Sequence, residues 1–163
     1  MHPNEKLIHD FYAAFAKRDA VGMAACYHRD IAFSDPAFPM LRGKEATAMW
    51  SMLCARGKDL EIIPSGISAD ADGGRAHWDA NYTFSQTGRF VRNKIDAVFA
   101  FRDGKIIRHV DRFSFWKWSS QALGGIGIAL GWFGPIKAMV RKKADKSLRD
   151  YMDKNDGAFP SPG

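Results

Sequence analysis

LEIIPSGISADADGGRAHWDANYTFSQTGRFVRNKIDAVFAFRDGKIIRHVDRFSFWKW, residues 60–118, decides the fold. Three breaks with turn chemistry divide it: Ala71 to Gly74, Gln86-Thr87-Gly88 and Arg102-Asp103-Gly104. The runs between them are strand-like and rich in β-branched and aromatic residues. They predict four strands at about 60–70, 75–86, 89–102 and 105–118, joined as an antiparallel meander. Runs of this length exceed the usual strand, and long strands of a twisted sheet curl.

Upstream, the pattern is helical. Leu7, Ile8, Phe11, Tyr12 and Phe15 recur at helical spacing, and Asp19 is placed to cap a short second helix carrying Met23, Ala24 and Tyr27. Ile31-Ala32-Phe33-Ser34 reads as a brief strand that Asp35-Pro36 breaks, because proline cannot continue a ladder. A third helix runs from Lys44 to about Arg56, with Ala46, Met49, Trp50 and Leu53 on one stripe and Gly57 at its end. Helices first and a meander afterwards give an α+β order. The curved antiparallel sheet then has the N-terminal helices across its open side, enclosing a pocket.

Downstream, Ser119 to Ile136 carries no charge and is interrupted by glycines, ending in Gly131-Trp132-Phe133-Gly134-Pro135. A helix follows from about Ile136 to Met152. Residues 1–118 thus read as the cone domain, 119–155 as a helical extension packed on it, and 156–163 as a frayed tail. The extension has two readings. In the favoured one it folds back as a broken-helical lid over the cone or onto a second subunit. In the other, residues 119–146 lie on a membrane surface, with Trp132 and Phe133 in lipid and Arg141, Lys142, Lys143 and Lys146 at anionic headgroups.

Composition narrows the classes. At 163 residues with 46% apolar and 26% charged side chains, the chain fits one domain that buries roughly 70% of its unfolded surface. The net charge of +6 lies largely between Lys137 and Lys154, with no nucleic-acid-binding signature elsewhere, so a solvated basic face is expected and nucleic acid is not. Cys26 and Cys54 have neither disulfide-framework nor zinc-ligand spacing, so no metal is expected. The first residues show no secretory signal, and the chain reads as cytoplasmic.

Three segments together carry a likeness: Phe11-Tyr12-Ala13-Ala14-Phe15 with Asp19, Phe33-Ser34-Asp35-Pro36 with Gly43, and Asp103 to Asp111. In order and spacing they resemble the nuclear transport factor 2-like superfamily. That cystatin-like α+β cone is shared by ketosteroid isomerases, SnoaL-like polyketide cyclases and limonene epoxide hydrolases. The resemblance implies roles. Asp35 matches the general base of the isomerases and Asp96 the acid at their enolate oxygen, while the isomerase tyrosine falls on Phe11, with Tyr12 one step around the helix. Asp111 matches the acid/base aspartate of the cyclases and epoxide hydrolases. The Arg-x-Asp pair of the hydrolases is met by His77-Trp78-Asp79, with histidine for arginine.

The residues also speak for themselves. Carboxylates crowded in an apolar cavity have their pKa values pushed apart, so one serves as base while another stays protonated. The expected catalytic set is Asp35, Asp96, His109 and Asp111, with His109 and Asp111 on one strand face because they are two residues apart. Phe15, Tyr27, Phe33, Trp50, Asp79 and Phe113 are expected to line the substrate site. Each has a plainer reading: a turn residue for Asp35, a solvated ion pair for His109 and Asp111, an exposed strand residue for Asp79, and core for the aromatics. The resulting expectation is a cofactor-independent acid/base enzyme on an apolar carbonyl or epoxide substrate, with a non-catalytic binding module of the same fold as the alternative. A homodimer is expected through the convex sheet face, where Trp78, Tyr82, Phe84, Val110, Trp116 and Trp118 would form an apolar patch.

Overall fold

Pro3 in the first turn, and a His2 ring whose Nδ1 accepts the Asn4 N–H at 3.1 Å, start helix α1 (Pro3–Ala16). The computed structural model describes all 163 residues. Ile8, Phe11, Tyr12 and Phe15 are fully buried along one stripe of α1, and each such side chain contributes on the order of 2 kcal/mol by leaving water. The Asp19 carboxylate accepts the Gly22 N–H at 2.9 Å and caps helix α2 (Ala20–Cys26). Strand β1 (Tyr27–Ser34), a two-residue strand β2 (Leu41–Arg42) and helix α3 (Lys44–Arg56) follow.

The meander comprises β3 (Glu61–Ala69), β4 (Gly74–Phe84), β5 (Arg89–Arg102) and β6 (Lys105–Arg112). Its neighbours pair antiparallel, as the turns imply. The chain's first strand also joins, parallel to β6. The result is a curved, unclosed mixed sheet in the order β2-β1-β6-β5-β4-β3. Helices α1 and α3 cover its concave face, giving an α+β cone.

Two bulges matter more than the turns. Between β3 and β4 the register slips between Ser65 and Ser68, at Gly66, whose φ of 58° suits glycine. Between β5 and β6 it slips between Ala100 and Phe101. Arg102 pairs with Lys105 across the tight turn, so an unbroken ladder would set Asp96 opposite Asp111. The bulge instead sets Ala97 opposite Asp111 and Asp96 opposite Arg112. Residues directly opposite share a face, so Asp96 is turned to the convex side.

The last strand ends sooner than its sequence suggests. Ser114 Oγ accepts the Lys117 N–H at 3.3 Å and caps helix α4 (Phe115–Leu123), so residues 115–118 are helical. Apolar residues at both parities, Phe113, Phe115, Trp116 and Trp118, fit a helix buried along a stripe better than a half-exposed strand. The convex-face patch is corrected with it. Trp78 lies opposite Ile95 and faces the cone, Tyr82 lies opposite the buried Val91, and Trp118 is on α4, where its Nε1 donates to Tyr82 Oη at 2.8 Å. Of the expected patch Val110 does face the convex side, opposite Val98. His77, Asp79, Arg92, Lys94 and Asp96 share that face with exposed Phe90 and Val98, so the large aromatic patch that argued for a dimer there is gone.

Beyond α4 the chain breaks at Gly124 (φ 68°), forms the short helix α5 (Gly125–Leu130), and returns as α6 (Gly134–Lys154). Gly127 and Gly131 sit against Ser119 so closely that an added methyl group would collide with it. Leu148 on α6 is fully buried in the core, and Arg149 pairs with Glu45 on α3. Past Asn155, Phe159 packs on Tyr151, and the Gly163 N–H donates to Tyr27 O at 3.1 Å. No helix is long and apolar enough to cross a membrane.

Candidate functional site

The concave sheet face, α3, α4 and α6 enclose a cavity of about 330 Å³. Its walls are mainly apolar, with Phe15, Trp50, Trp78 and Phe113 among them. Four charged residues reach its lining: Asp35, Arg56, Asp111 and Lys143. Apolar walls with a few converging polar groups suit a small organic ligand.

Asp111 is placed by the bulged pairing of β6 with β5 and is 3% exposed. Its Oδ1 accepts from His109 Nε2 at 2.9 Å and from Trp78 Nε1 at 3.3 Å. No protein group bonds Oδ2. Behind it, His109 is fully buried among the rings of Phe11, Phe33, Trp50 and Phe99. Its Nδ1 meets Tyr27 Oη at 2.7 Å, and Trp50 Nε1 donates to that same oxygen at 2.8 Å. Donor accounting sets the direction. The indole N–H can only donate, so the phenol accepts from it and gives its own proton to Nδ1; the imidazole then donates from Nε2 to the carboxylate. Every member of the chain Trp50, Tyr27, His109, Asp111 is satisfied in this tautomer.

Asp35 stands at the end of β1, where its own turn holds it. Its Oδ1 accepts the N–H groups of Ala37 at 2.7 Å and Phe38 at 2.6 Å. From α6, Arg141 Nε donates to Pro36 O at 3.0 Å and braces the turn. Burial pushes the Asp35 carboxyl up to about 7, with the Asp111 charge adding to it. The two backbone donors and Arg141 oppose the shift. Its Oδ2 also carries no protein bond. The cavity therefore presents two half-tied carboxyl groups, one of them held near its midpoint at neutral pH.

Burial first, and then the charge of Asp111, also raise Tyr12 and Tyr27 well above the usual phenol range, so both stay protonated. Tyr12 is 1% exposed, and its hydroxyl is buried without a partner.

Of the expected catalytic residues, Asp35 and Asp111 line the cavity and His109 stands directly behind Asp111. Asp96 is corrected: its side chain is 81% exposed on the convex face, bonded to His77 Nδ1 at 2.8 Å, because the bulge turns it outward. Asp79 is corrected likewise and bonds His77 Nε2 at 3.0 Å on that face. Phe15, Trp50 and Phe113 do line the cavity. Tyr27 and Phe33 lie deeper and pack around His109 instead. Sequence reasoning missed Trp78, Tyr82 and Asn93 as lining residues. The register of β4 against β5, Trp78 opposite Ile95 and Ala80 opposite Asn93, is the signal that would have found them. No group of three or more His, Cys, Asp or Glu side chains is arranged to hold a metal ion.

Residues 8–109 match the family described as the SnoaL-like domain. A comparison with curated protein sequences gives no match. Among solved structures, TerC co-crystallised with polyporic acid is similar at 19% identity and a TM-score of 0.64, covering 74% of this chain and 98% of its own. An NTF2-like protein of unknown function from Burkholderia pseudomallei is similar at 17% identity and a TM-score of 0.65, covering 75% and 98%. An epoxide hydrolase of Mycobacterium tuberculosis resembling limonene epoxide hydrolase is similar at 18% identity and a TM-score of 0.63, covering 76% and 92%. At these identities the structures speak for the fold: the nuclear transport factor 2-like cone.

Proposed function

The chain belongs to the SnoaL-like domain family, and on that premise we propose that it is a cofactor-independent acid/base enzyme acting on a small apolar carbonyl compound. One observation carries the reading: Asp35 and Asp111 line the same apolar cavity, each with one oxygen tied down and the other unbonded. Asp111 is the base. Its Oδ2 takes a proton from the carbon next to the substrate carbonyl, while His109 and Trp78 hold Oδ1 in place. Asp35, protonated up to about pH 7, donates from Oδ2 to the carbonyl oxygen as that oxygen gains charge. Returning the proton from Asp111 to another carbon, with the enol O–H proton going back to Asp35, completes an isomerisation. Attack of the enol carbon on a second carbonyl of the same substrate, whose oxygen takes the proton from Asp111 while the enol O–H returns its proton to Asp35, completes a ring closure.

Isomerase or cyclase chemistry is favoured over epoxide opening. His77 and Asp79, which stand where the hydrolases carry their Arg-x-Asp pair, face away from the cavity. A relative co-crystallised with polyporic acid supports small-ligand binding in this cone.

The test is solvent deuterium exchange. A panel of apolar enolisable ketones is incubated with protein in D2O, and label at the α-carbon is followed by mass spectrometry. Exchange by the wild type that is lost in Asp111→Asn is expected. Ligand binding with no exchange across the panel would instead mark a non-catalytic binding module.

A further inference from the structure

We infer that the α4–α6 extension docks the protein on an anionic membrane surface, with Trp132 and Phe133 entering the headgroup region. This inference does not depend on the chemistry in the cavity.

The first observation is where the exposed apolar side chains are. Trp116, Ile126, Ile128, Leu130, Trp132, Phe133 and Met139 are each at least 42% exposed, and Trp132 is 74% exposed. They lie within one stretch of chain between residues 116 and 139. They also sit together: Trp116 Nε1 donates to Ile128 O at 3.1 Å, and the rings of Trp132 and Phe133 are 6.1 Å apart. The close seating of Gly127 and Gly131 on Ser119 lets α5 hold its isoleucines and leucine away from the core. So many exposed large apolar side chains within one stretch of chain mark an interaction surface.

The second observation says what covers it. From Arg112 to Ala144 there is no acidic residue, while Arg112, Lys117, Lys137, Arg141, Lys142 and Lys143 fall in that stretch. None of these cations is in a salt bridge. Lys137 lies over the Phe115 ring and Arg141 on Pro36 O, and Lys142 and Lys143 are exposed near the middle of α6. The acids that follow, Asp145 and Asp150, are already matched by Arg149 and Lys146. An apolar projection with an unmatched basic flank is complementary to anionic headgroups over acyl chains, and indole rings favour that boundary. A second copy of the chain fits less well, because a twofold contact through this surface would bring the same cations together. Met139 belongs to both the exposed patch and the cavity wall, so docking would set the cavity mouth at the lipid boundary, where apolar molecules collect.

The experiment uses the full chain, the Trp132→Ser/Phe133→Ser variant and the Lys142→Glu/Lys143→Glu variant, each checked by circular dichroism for an unchanged melting curve. Each is sedimented with vesicles of phosphatidylcholine alone or mixed with phosphatidylserine, and run without lipid by analytical ultracentrifugation. Wild type is expected to bind the mixed vesicles, to release as salt rises, and to lose affinity by about tenfold or more in each variant. Equal binding by wild type and both variants, or no binding to mixed vesicles, overturns the inference. A wild-type dimer that ignores vesicles and dissociates in Trp132→Ser/Phe133→Ser also overturns it, in favour of a second copy.

Discussion

The sheet carries the same local arrangement twice, once on each face. His77-Trp78-Asp79 and His109-Val110-Asp111 both place a histidine two residues before an aspartate on a strand, and both bond Nε2 to Oδ1, at 3.0 and 2.9 Å. On the convex face the side chains of His77 and Asp79 are 37% and 35% exposed, and Asp96 supplies a second carboxylate at Nδ1. Inside the cone His109 is fully buried, and its Nδ1 meets a phenol that an indole already holds. Two carboxylates about a half-exposed ring favour the imidazolium and raise His77, with its bond to Asp96 the main cause. A phenol at Nδ1 and one carboxylate at Nε2 instead fix the orientation of a buried ring. Bond length and spacing are shared, so surroundings alone divide an ordinary surface ion pair from a candidate catalytic relay.

The largest break in the comparison is expected in catalysis. Asp111→Asn should lower deuterium exchange by about 10²–10⁴-fold, the range for loss of a positioned base, while Asp96→Asn should change it little. Exchange assays on both variants read this directly. Next comes stability. His109→Ala empties a fully packed site, takes away the acceptor of the Tyr27 hydroxyl proton and leaves Asp111 Oδ1 with Trp78 alone, so it should cost about 3–5 kcal/mol in denaturant unfolding.

Asp35 gives a smaller effect with a definite sign. Its carboxyl is raised to about 7 in the folded chain, so between about pH 4 and pH 7 the folded state keeps a proton that the unfolded state has lost. Stability from this group is full below that window and falls as pH rises through it. Asp35→Asn keeps an acceptor for Ala37 and Phe38 but does not titrate. Its advantage over wild type should therefore grow between pH 5 and pH 8, by on the order of 1–2 kcal/mol in thermal or denaturant melts. The smallest effect is expected on the convex face, where His77→Ala should stay within about 1 kcal/mol of wild type in the same unfolding assay, and the difference should shrink in high salt.

Much of this was legible in residues 60–118, because turn chemistry and strand periodicity are local. The pairing of His109 with Asp111 on one face was legible for the same reason. Which face they occupy relative to Asp96 was not. That depends on one extra residue near Ala100 and Phe101, and a bulge leaves no mark in the alternation of a run that is apolar at both parities. The convex patch failed on the same ground: parity does not carry across a hairpin, whereas register does. Trp50 and Tyr27 were visible as aromatics, but their link to His109 joins α3, β1 and β6, and no spacing along the chain encodes it. Helix α4 was hidden by aromatics that suit a strand until Ser114 is recognised as a cap.

The central claim is that Asp35 and Asp111 act as a coupled acid and base in one cavity. The most direct measurement is the carboxyl ¹³C titration of Asp35 by NMR, in wild type and in Asp111→Asn. Asp35 should titrate near 7 in the wild type, mainly through burial, and lower in the variant, because the negative charge that adds to the shift is gone. An Asp35 that titrates in the ordinary range near 4, or that does not respond to loss of Asp111, would contradict the claim.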